Sequence, residues 1–401
     1  MKFINHCRVL LVVLLLFNVF LLGKWLEVKN GQNFPEQKIL AEKNSYQELR
    51  DFFKELAEKK GALYAYNLLR VANLPENTDL HLLGHVVGDV LYQKEGKDGI
   101  RICNEDFRNA CSHSIVIGLL LYKGEDALVD ISKACRKAPG GSGAYTMCFH
   151  GLGHGVLAYS DYDLEKAVSL CAKTATKEFG GREQYECIGG TIMEIISGGG
   201  HNPKLWEEKS KLYLRKEDPL YPCTSAFMPE EARPLCFVYL TPHLLQVAGA
   251  DLGNPTPQDY QRAFKYCEGI SPNDIQNRDS CFGGFGKEFV VLAKGRDIRK
   301  IESLSEDEMR SVYGWCNLSA DNNGVKSCIR HAVNSLFWGG ENDVLISINF
   351  CNSIPLPTHK SECFNHLIGS VNYYIKRSNY RRSFCSKLPE NFVNQCRDII
   401  R

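Results

Sequence analysis

The chain has 401 residues and a formal net charge of +1, a balance that removes the electrostatic ground for nucleic acid as a partner. Its apolar fraction of 44% excludes wholesale disorder. The seventeen cysteines are far more than a cytosolic chain usually carries, and all but Cys7 fall in an even set from Cys103 to Cys396, which reads as disulfides formed in an oxidising compartment.

In chain order, the first element is apolar. Lys2 and Arg8 precede a run from Val9 to Leu22 that is broken only by Asn18. Lys24 can snorkel and Trp25 can sit at an interface, which extends the segment to Leu26. No Ala-x-Ala-like cleavage site follows. Residues 1–26 are therefore expected to be an uncleaved signal-anchor, a transmembrane segment with the remainder outside the cytosol, in a bacterial envelope or periplasm or in a secretory lumen or extracellular space. Residues 27–44 are polar, contain Pro35, and read as a linker. Ser45 and Glu48 form a capping-box pattern at the start of a helix, and a second helix is expected over about 62–72. No strand-type alternation of any length occurs, so 45–401 is expected to be one all-α ectodomain.

A repeat lies in the cysteines. "CSHSIVIG" at Cys111, "CFHGLGHG" at Cys148, "CIGGTIME" at Cys187, "CFVYLTPH" at Cys236, "CFGGFGKE" at Cys281, "CIRHAVNS" at Cys328 and "CFNHLIGS" at Cys363 share one frame, and Cys396 closes the series. "DLHLLGHVVGD" fits the same frame with Asp79 in the place of the cysteine. Successive frames are 32 to 49 residues apart, the length of helical-hairpin repeats. Each cysteine-bearing frame has a second cysteine upstream: Cys103, Cys135, Cys171, Cys223, Cys267, Cys316, Cys351 and Cys385. Segments such as "DALVDISKAC" and "DLEKAVSLC" are amphipathic at helical spacing, and the residues between paired cysteines are turn-rich. Zinc held by thiolates usually shows as CxxC pairs, and none occurs. The unit is thus helix, cysteine, loop, cysteine, helix. Eight local bridges are predicted, Cys103–Cys111 through Cys385–Cys396, against an alternative pairing between successive units such as Cys111–Cys135. The expected architecture is an array of disulfide-stapled helical hairpins forming a solenoid or ring. In layout it resembles disulfide-stapled α/α repeat proteins of the Sel1-like kind; no family motif matches residue by residue, and the resemblance carries no function.

Positions two, six and ten after the aligned cysteine lie on one helix face. That stripe reads His81, His85, Asp89 in the first frame, His113 in the second, and His150, His154 in the third. Two histidines four apart can face one ion, and neutral imidazole suits a transition metal such as Zn, Fe or Cu. His81, His85, Asp89, His113, His150 and His154 are therefore the candidate metal residues, with Glu194 of the fourth frame as a candidate general base. Gly84, Gly88, Gly151, Gly153 and Gly155 accompany them and point to close helix approach.

Other catalytic signatures are absent: no HExxH, GxSxG, Walker A or CxxCH occurs. Two readings from different classes follow. One is a metal site on an exported repeat scaffold, with metalloenzyme chemistry or non-covalent haem between histidines as its extensions. The other is a non-catalytic surface for a protein, peptide or glycan, contacted by Lys287, Arg330, Asn334 and Asn365 on the later frames. Geometry separates them: imidazole nitrogens from different repeats converging within about 4–5 Å favour metal, and histidines spread along a groove favour the scaffold.

Overall fold

The computed structural model describes residues 34–400 apart from 44, 76–77, 105, 139–140, 198–201, 339–341 and 376–377. The signal-anchor expected over 1–26 lies outside the described residues, as do residues 27–33 and 44 of the linker. Among the described residues the secondary structure is helical with no strand, and no helix is long and apolar enough to cross a membrane.

The helices are α1 Gln37–Leu40, α2 Tyr46–Lys60, α3 Ala62–Val71, α4 Leu80–Glu95, α5 Asp106–Lys123, α6 Leu128–Cys135, α7 Gly141–Tyr159, α8 Leu164–Ala172, α9 Arg182–Ser197 and α10 Pro203–Lys209. They continue as α11 Arg233–Tyr239, α12 Thr241–Val247, α13 Pro257–Glu268, α14 Ile275–Leu292, α15 Glu306–Cys316, α16 Asn322–Phe337, α17 Val344–Ser353, α18 Pro357–Tyr374, α19 Ser378–Cys385 and α20 Glu390–Ile399. Helix α2 starts on the capping box read from the sequence, with the Ser45 side chain accepting from the Glu48 amide and the Glu48 side chain accepting from the Ser45 amide. The end of the polar stretch is docked rather than free. Phe34 and Leu40 are buried, and Glu36 takes Lys60 and the Tyr64 hydroxyl. Two large apolar side chains are enough to hold so short a segment against α2 and α3.

All eight local bridges are present, from Cys103–Cys111 to Cys385–Cys396, with Cα–Cα separations of 5.4 to 5.7 Å. The first cysteine typically ends a short helix: Cys135 closes α6, Cys316 closes α15 and Cys385 closes α19. The second lies inside the following helix rather than at its start. Helix α7 begins at Gly141, so part of the turn-rich segment before Cys148 is helical. A disulfide needs its two Cα atoms side by side, and a short helix lying across a longer one meets it above its first turn. Each such loop contributes about 2–3 kcal/mol by constraining the unfolded chain. In the first frame Asp79 stands in the cysteine's place and caps α4, its carboxylate accepting from the Leu82 amide. That frame has no bridge.

The longer helices pack in succession, α4 on α5, α5 on α7, α7 on α9, then α11, α14, α16, α18 and α20. Glycines set the close crossings. A Cβ on Gly153 would overlap the Cys187 carbonyl, and one on Gly190 would overlap the His150 carbonyl, so α7 and α9 touch backbone to backbone. Contacts also join distant parts of the chain. Arg299 donates to the Leu69 and Ala72 carbonyls at 2.7 and 2.9 Å, and Arg182 donates to the Tyr373 hydroxyl at 2.7 Å.

A candidate metal centre of four histidines

His81 and His85 lie one turn apart on α4, His113 on α5 and His154 on α7. Because these three helices are neighbours, the stripe becomes a cluster. One ring nitrogen from each of the four lies within 4.8 Å of the others. All four rings are buried, with exposures of 7%, 5%, 1% and 1%. Convergence from three frames into one point is the geometry that separates a metal site from a groove.

Three of the rings are held by their outer nitrogen. His81 Nδ1 is 2.7 Å from the Phe107 carbonyl, which only accepts, so that nitrogen carries the proton. His85 Nδ1 is 3.2 Å from Ser114 Oγ, whose own hydrogen goes to the His85 carbonyl at 2.9 Å, so His85 Nδ1 donates as well. His154 Nδ1 donates to Glu194 Oε2 at 3.0 Å. In a neutral ring this leaves each Nε2 with a lone pair. His81 Nε2 and His85 Nε2 stand 3.1 Å apart. His154 Nε2 is buried without a hydrogen-bond partner. Neither ring nitrogen of His113 has a hydrogen-bond partner within ordinary geometry. Burial pushes the His81 imidazole down to about 3, and holds His113 and His150 well below their ordinary value, with the neighbouring histidines adding to the effect. Neutral imidazole is the ligand form. The buried four-histidine group can hold a metal ion.

The outer contacts depend on local backbone. Phe107, Arg108 and Asn109 are left-handed, with φ of 54°, 55° and 64°. This is an uncommon conformation for residues other than glycine, and it turns the Phe107 carbonyl toward His81. A Cβ on Gly151 would overlap the His113 ring, and one on Gly88 would overlap Ser114, so both glycines make room for the site. Glu194 is 1% exposed; its Oε1 accepts from the Tyr162 hydroxyl at 2.9 Å while Oε2 takes His154. The sequence marked Glu194 as a base, and the structure places it behind a histidine with both oxygens engaged.

The remaining candidates lie elsewhere. His150 stands beside the cluster, its ring 5.3 Å from His154, 5.8 Å from His113 and 5.0 Å from Tyr239, and it is not one of the four converging residues. Asp89 is half-buried on the next turn of α4 and is also outside the four. Lys287 Nζ lies 4.7 Å from the Tyr239 ring centroid, and burial with Arg108 nearby holds it down to about 8. Arg330 is bound by Asp279 and by Glu362, Asn334 accepts from the Ser370 hydroxyl, and Asn365 accepts from the Gln395 amide.

The Phe107 carbonyl, Ser114 and Tyr162 were not singled out from the sequence. Ser114 follows directly in "CSHS", a signal that was there to be read; the carbonyl and Tyr162 had none. No protein-family model matches this chain, and no curated protein or solved structure matches it.

Proposed function

We propose that this is an extracytoplasmic, membrane-anchored helical-repeat protein whose first three frames hold one zinc ion through His81, His85, His113 and His154. The observation that carries the reading is the pair of Nε2 atoms 3.1 Å apart. Both protons are committed at Nδ1, so two lone pairs face each other and repel unless a cation lies between them. Zinc with nitrogen ligands at 2.0–2.1 Å in a tetrahedron sets its ligand nitrogens about 3.3 Å apart. Hydrogen bonds from the outer nitrogens to a carbonyl, a hydroxyl and a carboxylate are the support that metal-bound histidines use to fix their tautomer. The rings sit with centroids 4.6 to 6.0 Å apart, which leaves no slot for a porphyrin and weighs against haem.

Four protein ligands and near-complete burial match a structural zinc site more than a catalytic one, which keeps a position open. The frame that contributes two ligands is the one in which Asp79 replaces the cysteine. Zinc would tie α4 to α5 and α7 where no disulfide does. Glu194 would orient His154 and offset the charge of the ion. The eight disulfides support an oxidising, extracytoplasmic environment. The apolar run from Val9 to Leu22 supports the anchor. The succession of helix contacts, with the long-range bonds of Arg299 and Arg182, supports a curved array closing toward a ring.

The test is plasma mass spectrometry of the full chain purified from an oxidising compartment, beside a His81→Ala/His113→Ala double variant. One zinc per chain in the wild type and none in the variant is the expected result. Stoichiometric copper or iron would keep the site and change the ion. No transition metal, and no uptake from micromolar zinc, would sink the reading.

A further inference from the structure

The sixth frame holds a lysine that the metal reading does not use. Lys287 lies on α14, at the stripe position that His85 and His154 hold in the first and third frames. It is half-buried, and its Nζ lies 4.7 Å from the Tyr239 ring centroid. The Tyr239 ring in turn lies 5.0 Å from the His150 ring. Side chains from α14, α11 and α7 thus form one cluster.

The amine in this cluster has no counter-ion. Among the described residues Lys287 makes no ion pair and no hydrogen bond. The adjacent carboxylate, Glu288, is paired with Arg296 at 2.7 Å. Burial holds the Tyr239 hydroxyl well above its ordinary value, so that ring offers a face and not a phenolate. Other cations of the repeat are compensated: Arg330 has Asp279 and Glu362, and Arg182 has Glu186 at 3.3 Å. Burial, with Arg108 and Arg296 opposing the ammonium, holds Lys287 down to about 8. Desolvation and neighbouring cations are the two means by which a lysine is kept as a free amine for covalent chemistry.

We propose that Lys287 is a covalent capture site for a small aromatic aldehyde. The Nζ lone pair attacks the carbonyl carbon and forms the C–N bond. The carbonyl oxygen leaves as water with the two protons of the amine, and a C=N bond remains. Amine and aldehyde give imine and water, with no oxidant or reductant consumed. The aldehyde's ring, one carbon from the nitrogen, packs on Tyr239.

The experiment is reductive trapping of the full-length protein with benzaldehyde and cyanoborohydride near neutral pH, which converts the imine to a stable benzylamine and spares the disulfides. Adduct at each lysine is followed by peptide mass spectrometry, with the exposed Lys54 and Lys166 as internal references. Lys287 is expected to react at least about tenfold faster than either, because its larger fraction of free amine outweighs its lower basicity. Urea should abolish that advantage. With propanal the advantage is expected to be about threefold smaller, and Tyr239→Leu should erase the difference between the two aldehydes. The wild-type comparison carries the test if Tyr239→Leu misfolds. Chelator-treated and zinc-loaded samples are expected to agree, so failure of the metal reading leaves this result standing. Trapping of Lys287 no faster than Lys54 and Lys166, an advantage that persists in urea, or an equal advantage with both aldehydes in the wild type would each overturn the proposal.

Discussion

In the first three frames the leading position of the stripe holds His81, His113 and His150; in the seventh it holds Arg330, bound by Asp279 and Glu362. Both regions carry a polar stripe along stacked helices, buried in the early frames and half-buried at Arg330 and Asn334, and both set a glycine opposite a histidine: Gly151 against His113 and Gly283 against His331. They differ in how the polar groups are compensated. The later frames pair opposite charges within the protein. The early frames bring one ring nitrogen from each of four buried histidines within 4.8 Å of the others, with His154 Nε2 and both His113 nitrogens outside any hydrogen bond among the described residues. A region that pairs its own charges leaves no ligand atoms for an ion, whereas converging buried imidazole nitrogens can hold one.

Three measurements sharpen or break this contrast. The largest effect is expected at the α7–α9 crossing, where Gly153→Ala forces a methyl into the Cys187 carbonyl. A loss of about 3 kcal/mol is expected, read by urea unfolding. Gly369 in α18 has nothing within 4 Å of an added Cβ, so Gly369→Ala should stabilise by about 0.5–1 kcal/mol. Equal effects at the two sites would show that the backbone approach at Gly153 does not set the cost.

Next in size is Glu194→Gln. It keeps the shape behind His154 and removes the charge, so zinc affinity is expected to fall about 10–100-fold, measured by competition with a chromogenic chelator. Unfolding of the metal-free protein should change far less. An unchanged affinity would reduce Glu194 to packing.

The smallest effect concerns the later frames. Burial holds His331 and His366 down to about 4, with Arg330 opposing their charge, Asp279 favouring it, and Lys287 and Glu362 acting on one ring each. Their ordinary value is 6.5, so between the two the unfolded chain binds protons that the folded chain refuses. Stability is then full above about pH 6.5 and is lost as pH falls toward 4. Between pH 7.5 and 6 these two rings are expected to contribute a loss of about 1.5 kcal/mol, and His331→Gln/His366→Gln should reduce the slope by that share, leaving the part due to the other histidines that burial holds low. A slope unchanged in the double variant would assign all of it to other groups.

Much of this was legible in the sequence because it is periodic. One recurring frame placed each cysteine beside its partner, and the bridges close within frames because a hairpin brings those two positions together. The histidine stripe was legible because residues four apart share a helix face. What the sequence withheld is not periodic. The left-handed turn at Phe107–Asn109 contains no glycine to announce it, so the carbonyl that fixes His81 could not be foreseen. Tyr162, which holds Glu194, sits between helices and outside the frame. The role of Glu194 was read from its chemistry as a carboxylate near the stripe, while its position is set by the register of α9 against α7. The docking of 34–40 turned on Phe34 and Leu40, two apolar residues in a stretch whose average is polar.

The bridges all lie within frames, spanning 8 to 16 residues each, and none joins one frame to the next. Under a stretching force, such as one acting between a tethered N-terminus and a C-terminal load, the chain would extend only along the segments between bridged cysteines of different frames. The closed loops would stay hidden from tension. Reduction would then release them one by one as discrete gains in contour length, so pulling the molecule with and without a reductant would count its frames directly.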